Sequence, residues 1–172
     1  MTRHGFRGYI TLDSSNTLFV PKYRGMSAIN ANNGNVIWTS GIEVIGTPAI
    51  GNNNDVIVCD NNYYLHSLNR VTGGQNWIKG SFNCKITITN SGDILALSNG
   101  LVLINSKNGI VKWKYTPQWM TIPGDVNLSN KAPVIARDGT IYVAVSNNGF
   151  GSGGIEAVSY THLRAHETVL DL

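Results

Sequence analysis

An all-β fold assembled from a repeated strand unit is what this sequence predicts, and three observations carry the prediction. Short runs rich in Val, Ile, Leu, Tyr and Thr recur along the chain, clusters of Asn and Gly separate them, and a tryptophan returns at a fixed distance after a glycine. The strand runs are Tyr9–Leu12, Thr17–Val20, Asp55–Cys59, Lys85–Thr89, Ile94–Leu97, Leu101–Ile104 and Thr140–Val145. Between them stand Asn32-Asn33-Gly34, Asn52-Asn53-Asn54-Asp55, Asn61-Asn62 and Asn147-Asn148-Gly149. Asn and Gly accept positive φ at low cost, and an Asn side chain caps its own turn, so these clusters read as hairpin turns. Short strands with a turn every ~8–12 residues signal a sandwich, a barrel or a propeller. No segment sustains a helical period.

The repeat decides among the three. Gly-x-x-x-Trp occurs at Gly34/Trp38, Gly73/Trp77 and Gly109/Trp113, with the glycines 39 and 36 residues apart. Ahead of each glycine lies a matching strand end: Ala28-Ile29-Asn30, Ser67-Leu68-Asn69 and Leu103-Ile104-Asn105. A second signature, apolar strand, polar turn, apolar strand, precedes these at Ile10–Val20, Pro48–Val58, Ile86–Leu97 and Pro133–Ala144. Units at about 9–46, 47–84, 85–122 and 132–157 follow. A period near forty that holds only strands fits four-stranded propeller blades, which bury their faces against both neighbours. Each tryptophan hides on the order of 150–250 Å², which at ~25 cal/mol per Å² is at most a few kcal/mol. The glycine four residues earlier takes the turn into the tryptophan strand, where a left-handed conformation would strain any residue bearing a Cβ.

Composition narrows the function. The chain has 172 residues, 42% hydrophobic and 13% charged, with a net charge of +3. Disordered tails combine few apolar residues with high net charge, which is not this composition. A weak, scattered positive charge lacks the clustered Lys and Arg of a nucleic-acid binder. Cys59 and Cys84 form no C-x-x-C pair; two buried thiols in strands is the preferred reading, and a single bridge stays open. No run approaches the ~20 apolar residues that span a bilayer. Met1–Gly8 has no apolar stretch after its basic residues and so is no signal peptide, which leaves a cytosolic protein or a sequence lacking its true start.

The three copies read Ala28-Ile-Asn-Ala-Asn-Asn-Gly34-Asn-Val-Ile-Trp38, Ser67-Leu-Asn-Arg-Val-Thr-Gly73-Gly-Gln-Asn-Trp77 and Leu103-Ile-Asn-Ser-Lys-Asn-Gly109-Ile-Val-Lys-Trp113. They resemble the tryptophan-docking consensus Ala-x-Asp-x-x-Thr-Gly-x-x-x-Trp of the PQQ-like (pyrroloquinoline-quinone-like) β-propellers, with Asn in place of Asp and the Thr kept only at Thr72. None of the four tryptophans is followed by Asp, which sets WD40 repeats aside. The resemblance implies a partial β-propeller, about four four-stranded antiparallel blades of a larger PQQ-like ring, over residues 1–157. It implies a non-catalytic binding scaffold of the bacterial periplasm or cell surface, similar to the outer-membrane assembly propeller lipoproteins, with protein or envelope components as partners and no cofactor. Two alternatives stay open. One is a fragment of a PQQ- and calcium-dependent quinoprotein dehydrogenase; such enzymes commonly set a vicinal disulfide against the quinone, and Cys59 and Cys84 are 25 residues apart. The other is a cell-surface carbohydrate-binding propeller using exposed Trp and Asn.

The remaining motifs carry blander readings. Gly149-Phe-Gly-Ser-Gly-Gly154 satisfies G-x-G-x-x-G but leads into a strand, not the helix a dinucleotide loop requires. His66 reads as a structural histidine, and Glu43, Asp55, Asp60, Asp93, Asp125 and Asp138 read as turn residues with no acid and base paired by the sequence. Trp119 and Met120 fall outside the repeat register and are candidates for a partner contact. In the fourth unit Ile155–Val158 matches the Ala28-Ile29 position, yet neither Gly nor Trp follows. Val158–Thr168 resembles instead a translated transposase sequencing adapter, so 158–172 is read as a non-native tail. The His162 and His166 pair, at zinc-like i, i+4 spacing, falls within it. Sequencing the source DNA across this junction without that adapter is expected to replace the tail by a Gly and a Trp of the fourth repeat; a genomic clone that keeps the tail would sink this reading.

Overall fold

The computed structural model describes residues 8–51, 55–80, 82–98, 100–116, 126–128, 131–147 and 153–159. Its strands form four antiparallel four-stranded sheets. The first holds β1 (Thr11–Leu12), β2 (Thr17–Lys22), β3 (Gly25–Asn30) and β4 (Val36–Ser40), in that spatial order. The second holds β5 (Val44–Ile50), β6 (Asp55–Asp60), β7 (Leu65–Asn69) and β8 (Gln75–Lys79). The third holds β9 (Ile86–Ile88), β10 (Ile94–Ser98), β11 (Gly100–Ile104) and β12 (Val111–Tyr115). In the fourth, β15 (Thr140–Asn147) pairs along one edge with both β13 (Val126–Leu128) and β14 (Val134–Ile135), and along the other with β16 (Gly153–Ser159).

One backbone hydrogen bond recurs in every sheet and sets the period. The turn between the first two strands closes through Asp13 N–H to Thr17 O, Gly51 to Asp55, Thr89 to Asp93 and Ala136 to Thr140, at 2.8–3.0 Å. These turns stand 38, 38 and 47 residues apart. The lengthened last interval contains 117–125, so Trp119 and Met120 lie outside the described residues.

Unit boundaries shift from those of the sequence. The limit at 46/47 falls inside β5, whose pairing with β6 continues across an irregularity at Gly46-Thr47-Pro48. Pairing passes from Ile45↔Cys59 to Ala49↔Ile57, and Gly46 has φ +84°. The fourth sheet takes its first strand from Val126–Leu128, upstream of 132, because a polar segment separates two short pairing stretches that together make one edge. It also runs past 157: Val158 and Ser159 pair with Ile141 and Thr140, and Val158 is buried.

The chain divides into two units, Met1–Cys84 with Ser106–Gly109, and Lys85–Asn105 with Ile110–Leu172. In the first, Phe19, Met26, Ala28 and Trp38 of one sheet pack on Val44, Val56, Val58 and Leu68 of the next. In the second, Leu95, Leu97, Leu101, Leu103 and Trp113 pack on Ile141, Val143 and Val158. A polar latch accompanies each core. Thr11 Oγ1 donates to the Pro48 carbonyl at 2.5 Å, and Thr87 Oγ1 donates to that of Pro133. Thr11 pairs with Phe19 and Thr87 with Leu95, so the two threonines hold the same register position.

The two cysteines are joined, which corrects the reading of separate buried thiols. Cys59 is the last β6 residue paired with β7, and the return through β7 and β8 brings Cys84 to a Cα–Cα distance of 5.3 Å. A link across 25 residues is worth about 3 kcal/mol through loss of unfolded-chain entropy. Reduction, or the double substitution Cys59→Ser/Cys84→Ser, is expected to lower the unfolding free energy by about that amount in urea titrations; an unmoved midpoint would count against it.

Candidate functional site

The repeat signature builds a docking surface from backbone geometry. At the end of the third strand of each of the first three sheets, Asn30, Asn69 and Asn105 donate their N–H to the carbonyls of Asn35, Gly74 and Ile110 at 2.7–2.8 Å. Gly34, Gly73 and Gly109 close these turns with φ of 76°, 73° and 71°, a left-handed conformation that disfavours a Cβ. Pairing then slips by a bulge at the same place, after Ala28, Ser67 and Leu103. The slip aligns Trp38, Trp77 and Trp113 with Ala28, Ser67 and Leu103.

Two of the indoles dock on a later turn. Trp38 Nε1 donates to the carbonyl of Arg70, and Trp77 Nε1 to that of Ser106, both at 2.8 Å. Arg70 and Ser106 each follow the turn asparagine, so the acceptor occupies one position of the repeat. A Cβ built on Gly73 would lie 2.7 Å from Cδ2 and Cε3 of Trp38, and one on Gly109 3.0 Å from Cδ2 of Trp77. The glycine therefore has two duties, of which the sequence reading saw one: it takes the left-handed turn, and its bare face receives the preceding repeat's indole. Trp38 also packs on Phe19, ring centroids 5.9 Å apart. Trp113 is buried in the second unit's core.

Arg70 links this contact to a group the sequence reading missed. Its Nη1 lies 3.1 Å from Oδ2 of Asp13, whose other oxygen accepts the N–H groups of Ser15 and Thr17 at 2.8 Å. Asp13 is buried in a turn that, on sequence, resembles any other polar turn.

The other titratable groups are engaged inside the fold. His66, buried on β7, sets Nδ1 2.8 Å from Gln75 Oε1 and Nε2 3.1 Å from Asp60 Oδ2. Asp60 Oδ1 accepts from the N–H of Asn62 and Tyr64, and Glu43 from Asn61. Asp55 and Asp93 exceed the turn role read from sequence and are buried in cross-strand contacts. Asp55 accepts from Ser67 and Asn76, and Asp93 from Ser91 and Lys112. Asp138 is held below the usual carboxylate range by hydrogen bonds from the Thr140 backbone and hydroxyl. Its share of stability is present above the unfolded value of 3.8 and lost as pH falls through the lower folded value. Among the described residues no three His, Cys, Asp or Glu form a group able to hold a metal ion. Asp125, His162, His166 and most of the glycine-rich loop lie outside the described residues, and that loop does enter a strand, β16.

The glycines rank as a test of docking. Gly34→Ala carries only the left-handed backbone penalty, about 1–2 kcal/mol. Gly73→Ala also overlaps an indole, which adds roughly 1–3 kcal/mol, and Gly109→Ala falls between the two. Urea unfolding of the three variants reads the order directly; equal losses would refute the docking role.

No curated protein matches this sequence. The family model described as outer membrane protein assembly factor BamB matches residues 2–159. Among solved structures, BamB from Moraxella catarrhalis superposes with a TM-score of 0.66 at 14% identity, over 90% of this chain and 51% of that one. Quinohemoprotein alcohol dehydrogenase from Comamonas testosteroni gives 0.56 at 16% identity, over 82% of this chain and 29% of that one. The WD40 propeller domain of Doa1 gives 0.56 at 16%, over 86% and 49%. The chain thus spans about half the length of the BamB structure, and the shared feature throughout is the β-propeller fold. With its four-stranded antiparallel sheets and its match across residues 2–159, the chain belongs to the BamB family of PQQ-like β-propeller repeat proteins.

Proposed function

We propose that this chain is part of a non-catalytic bacterial propeller that acts outside the cytoplasm as a scaffold for protein or envelope components, in the manner of an outer-membrane assembly factor. The observation that carries the reading is the family match, which spans residues 2–159. The Cys59–Cys84 bridge supports it, since disulfides persist in oxidising compartments such as the periplasm. So does the engagement of His66, Asp13, Asp55, Asp60 and Asp93 in turn and cross-strand contacts, which leaves these groups committed to the architecture.

The dehydrogenase reading rests on a fold likeness alone, and PQQ and calcium belong to it only. The described residues do not fit those groups: the bridged cysteines are not adjacent in sequence, and the buried carboxylates already have partners. Carbohydrate recognition calls for exposed tryptophans, whereas Trp38 and Trp113 are buried and Trp77 is half-buried on the Ser106–Gly109 turn. Trp119 and Met120 are retained as proposed partner contacts.

Affinity purification of the tagged protein from detergent-solubilised envelopes is expected to bring down outer-membrane assembly proteins. Dye-linked alcohol oxidation after addition of PQQ and Ca²⁺ would overturn the scaffold reading in favour of the enzyme.

A further inference from the structure

Four turns among the described residues share one pattern of two backbone hydrogen bonds. In Asp13–Thr17, Asp60–Tyr64, Thr89–Asp93 and Ala136–Thr140 the first residue donates its N–H to the carbonyl of the fifth, and the fourth donates to the carbonyl of the first. The fourth residue takes a left-handed backbone, with φ +57° at Asn16, +65° at Tyr63, +81° at Gly92 and +87° at Gly139. Glycine and asparagine reach that region at low cost, whereas an aromatic residue does not. Of the four, only the β6–β7 turn holds a strained residue at this position.

A segment clasped to the second sheet holds Tyr63 in place. Phe82, which is buried, donates its N–H to the Tyr63 carbonyl at 3.0 Å. Tyr64 lays its ring on Gly80, where a Cβ would stand 2.6 Å from Cε1. Cys84 sets its Sγ 3.7 Å from the Asp60 carbonyl, and its own carbonyl oxygen lies 3.2 Å from where a Cβ on Gly46 would be. Cys84 is itself a non-glycine residue with positive φ, +26°. The bridge to Cys59 is the covalent bond of this clasp. Backbone strain persists only where the surrounding structure over-determines it, and it gathers in elements that switch between two states.

We infer that the Cys59–Cys84 bridge is a redox-sensitive latch that holds Phe82 and the Tyr63–Tyr64 turn closed on the second sheet. A dithiol opens it in two exchanges. One thiolate attacks Sγ of Cys84, the less buried partner, and forms a mixed disulfide while Cys59 leaves as a thiolate and takes up a proton. The second thiol then displaces Cys84, so that two protein thiols remain and the dithiol departs as a cyclic disulfide. Two electrons and two protons pass to the protein. With the bond gone, the backbone at Tyr63 and Cys84 relaxes and Phe82 comes away, while the strands of the second sheet keep their pairing. The oxidised and reduced chains therefore present different surfaces to a partner.

Amide hydrogen exchange in the full 172-residue chain reads the latch, because the Phe82 N–H makes the bond that closes the turn. Ile57 and Ser67, paired across β6 and β7, report on the sheet itself. The oxidised chain is expected to protect all three amides. In dithiothreitol the Phe82 amide is expected to exchange within about tenfold of the rate of an unstructured amide, with Ile57 and Ser67 still protected. Cys84→Ser is expected to show the open Phe82 without reductant. Tyr63→Gly, which removes the strain from the turn, is expected to restore protection at Phe82 in the reduced chain. Equal protection of Phe82 in both redox states would overturn the proposal, and so would a native bridge that resists dithiothreitol. Loss of protection at Ile57 and Ser67 together with Phe82 would mean unfolding of the sheet in place of a latch, and a reduced Tyr63→Gly chain as open as its parent would remove the strain that drives it; either result overturns it.

Discussion

An indole lying on the bare face of a left-handed glycine is the contact around which the repeat is organised. It couples three separate requirements. The turn must adopt positive φ, the glycine must present no Cβ, and a backbone carbonyl one residue past the turn asparagine must face the Nε1–H. Because the acceptor is main chain, the side chain there is free to vary, and it is Arg at 70 and Ser at 106. Glycine and tryptophan have no such freedom, and they are what recurs in register. The bulge just before each tryptophan, at Ile37 and Asn76, belongs to the same device, since without the slip the tryptophan would not align with Ala28 or Ser67 on the core face.

Polar side chains then adjust each copy differently. Register places Thr17, Asp55, Asp93 and Thr140 at one position, where the hairpin-closing carbonyl sits. Asp55 is answered across the sheet by Ser67 and Asn76, and Asp93 by Lys112. Asp13, one turn away from Thr17, reaches Arg70 and so couples a hairpin of the first sheet to the turn that holds Trp38. Burying a charge is tolerable only when it is paired and hydrogen-bonded. Asp13 and Asp93 are paired with Arg70 and Lys112, and Asp55 is hydrogen-bonded by Ser67 and Asn76.

Much of this was legible in the residues. The Gly-x-x-x-Trp spacing marks local geometry, a turn followed by a strand, and local geometry is what short-range sequence encodes; hence the agreement at β6, β10 and β11 to within a residue or two. Contacts made between distant segments were not. The Cys59–Cys84 bridge, the Asp13–Arg70 pair and the Thr–Pro carbonyl latches join residues 25 to 57 apart. Nothing in the neighbourhood of any one of them signals its partner. The continuity of β5 through Gly46-Thr47-Pro48 is of the same kind, since only the pairing of both Ile45 and Ala49 with β6 shows it.

The sequence by itself determined the all-β class, the repeat and the family, because strand alternation, turn residues and the tryptophan period are properties of neighbours along the chain. Only the tertiary structure decided what Trp38 and Trp77 rest on and which cysteines and charges meet. Those outcomes depend on which sheet face lies opposite which, a relation between segments 32 residues apart at Trp38 and Arg70 that no local pattern contains.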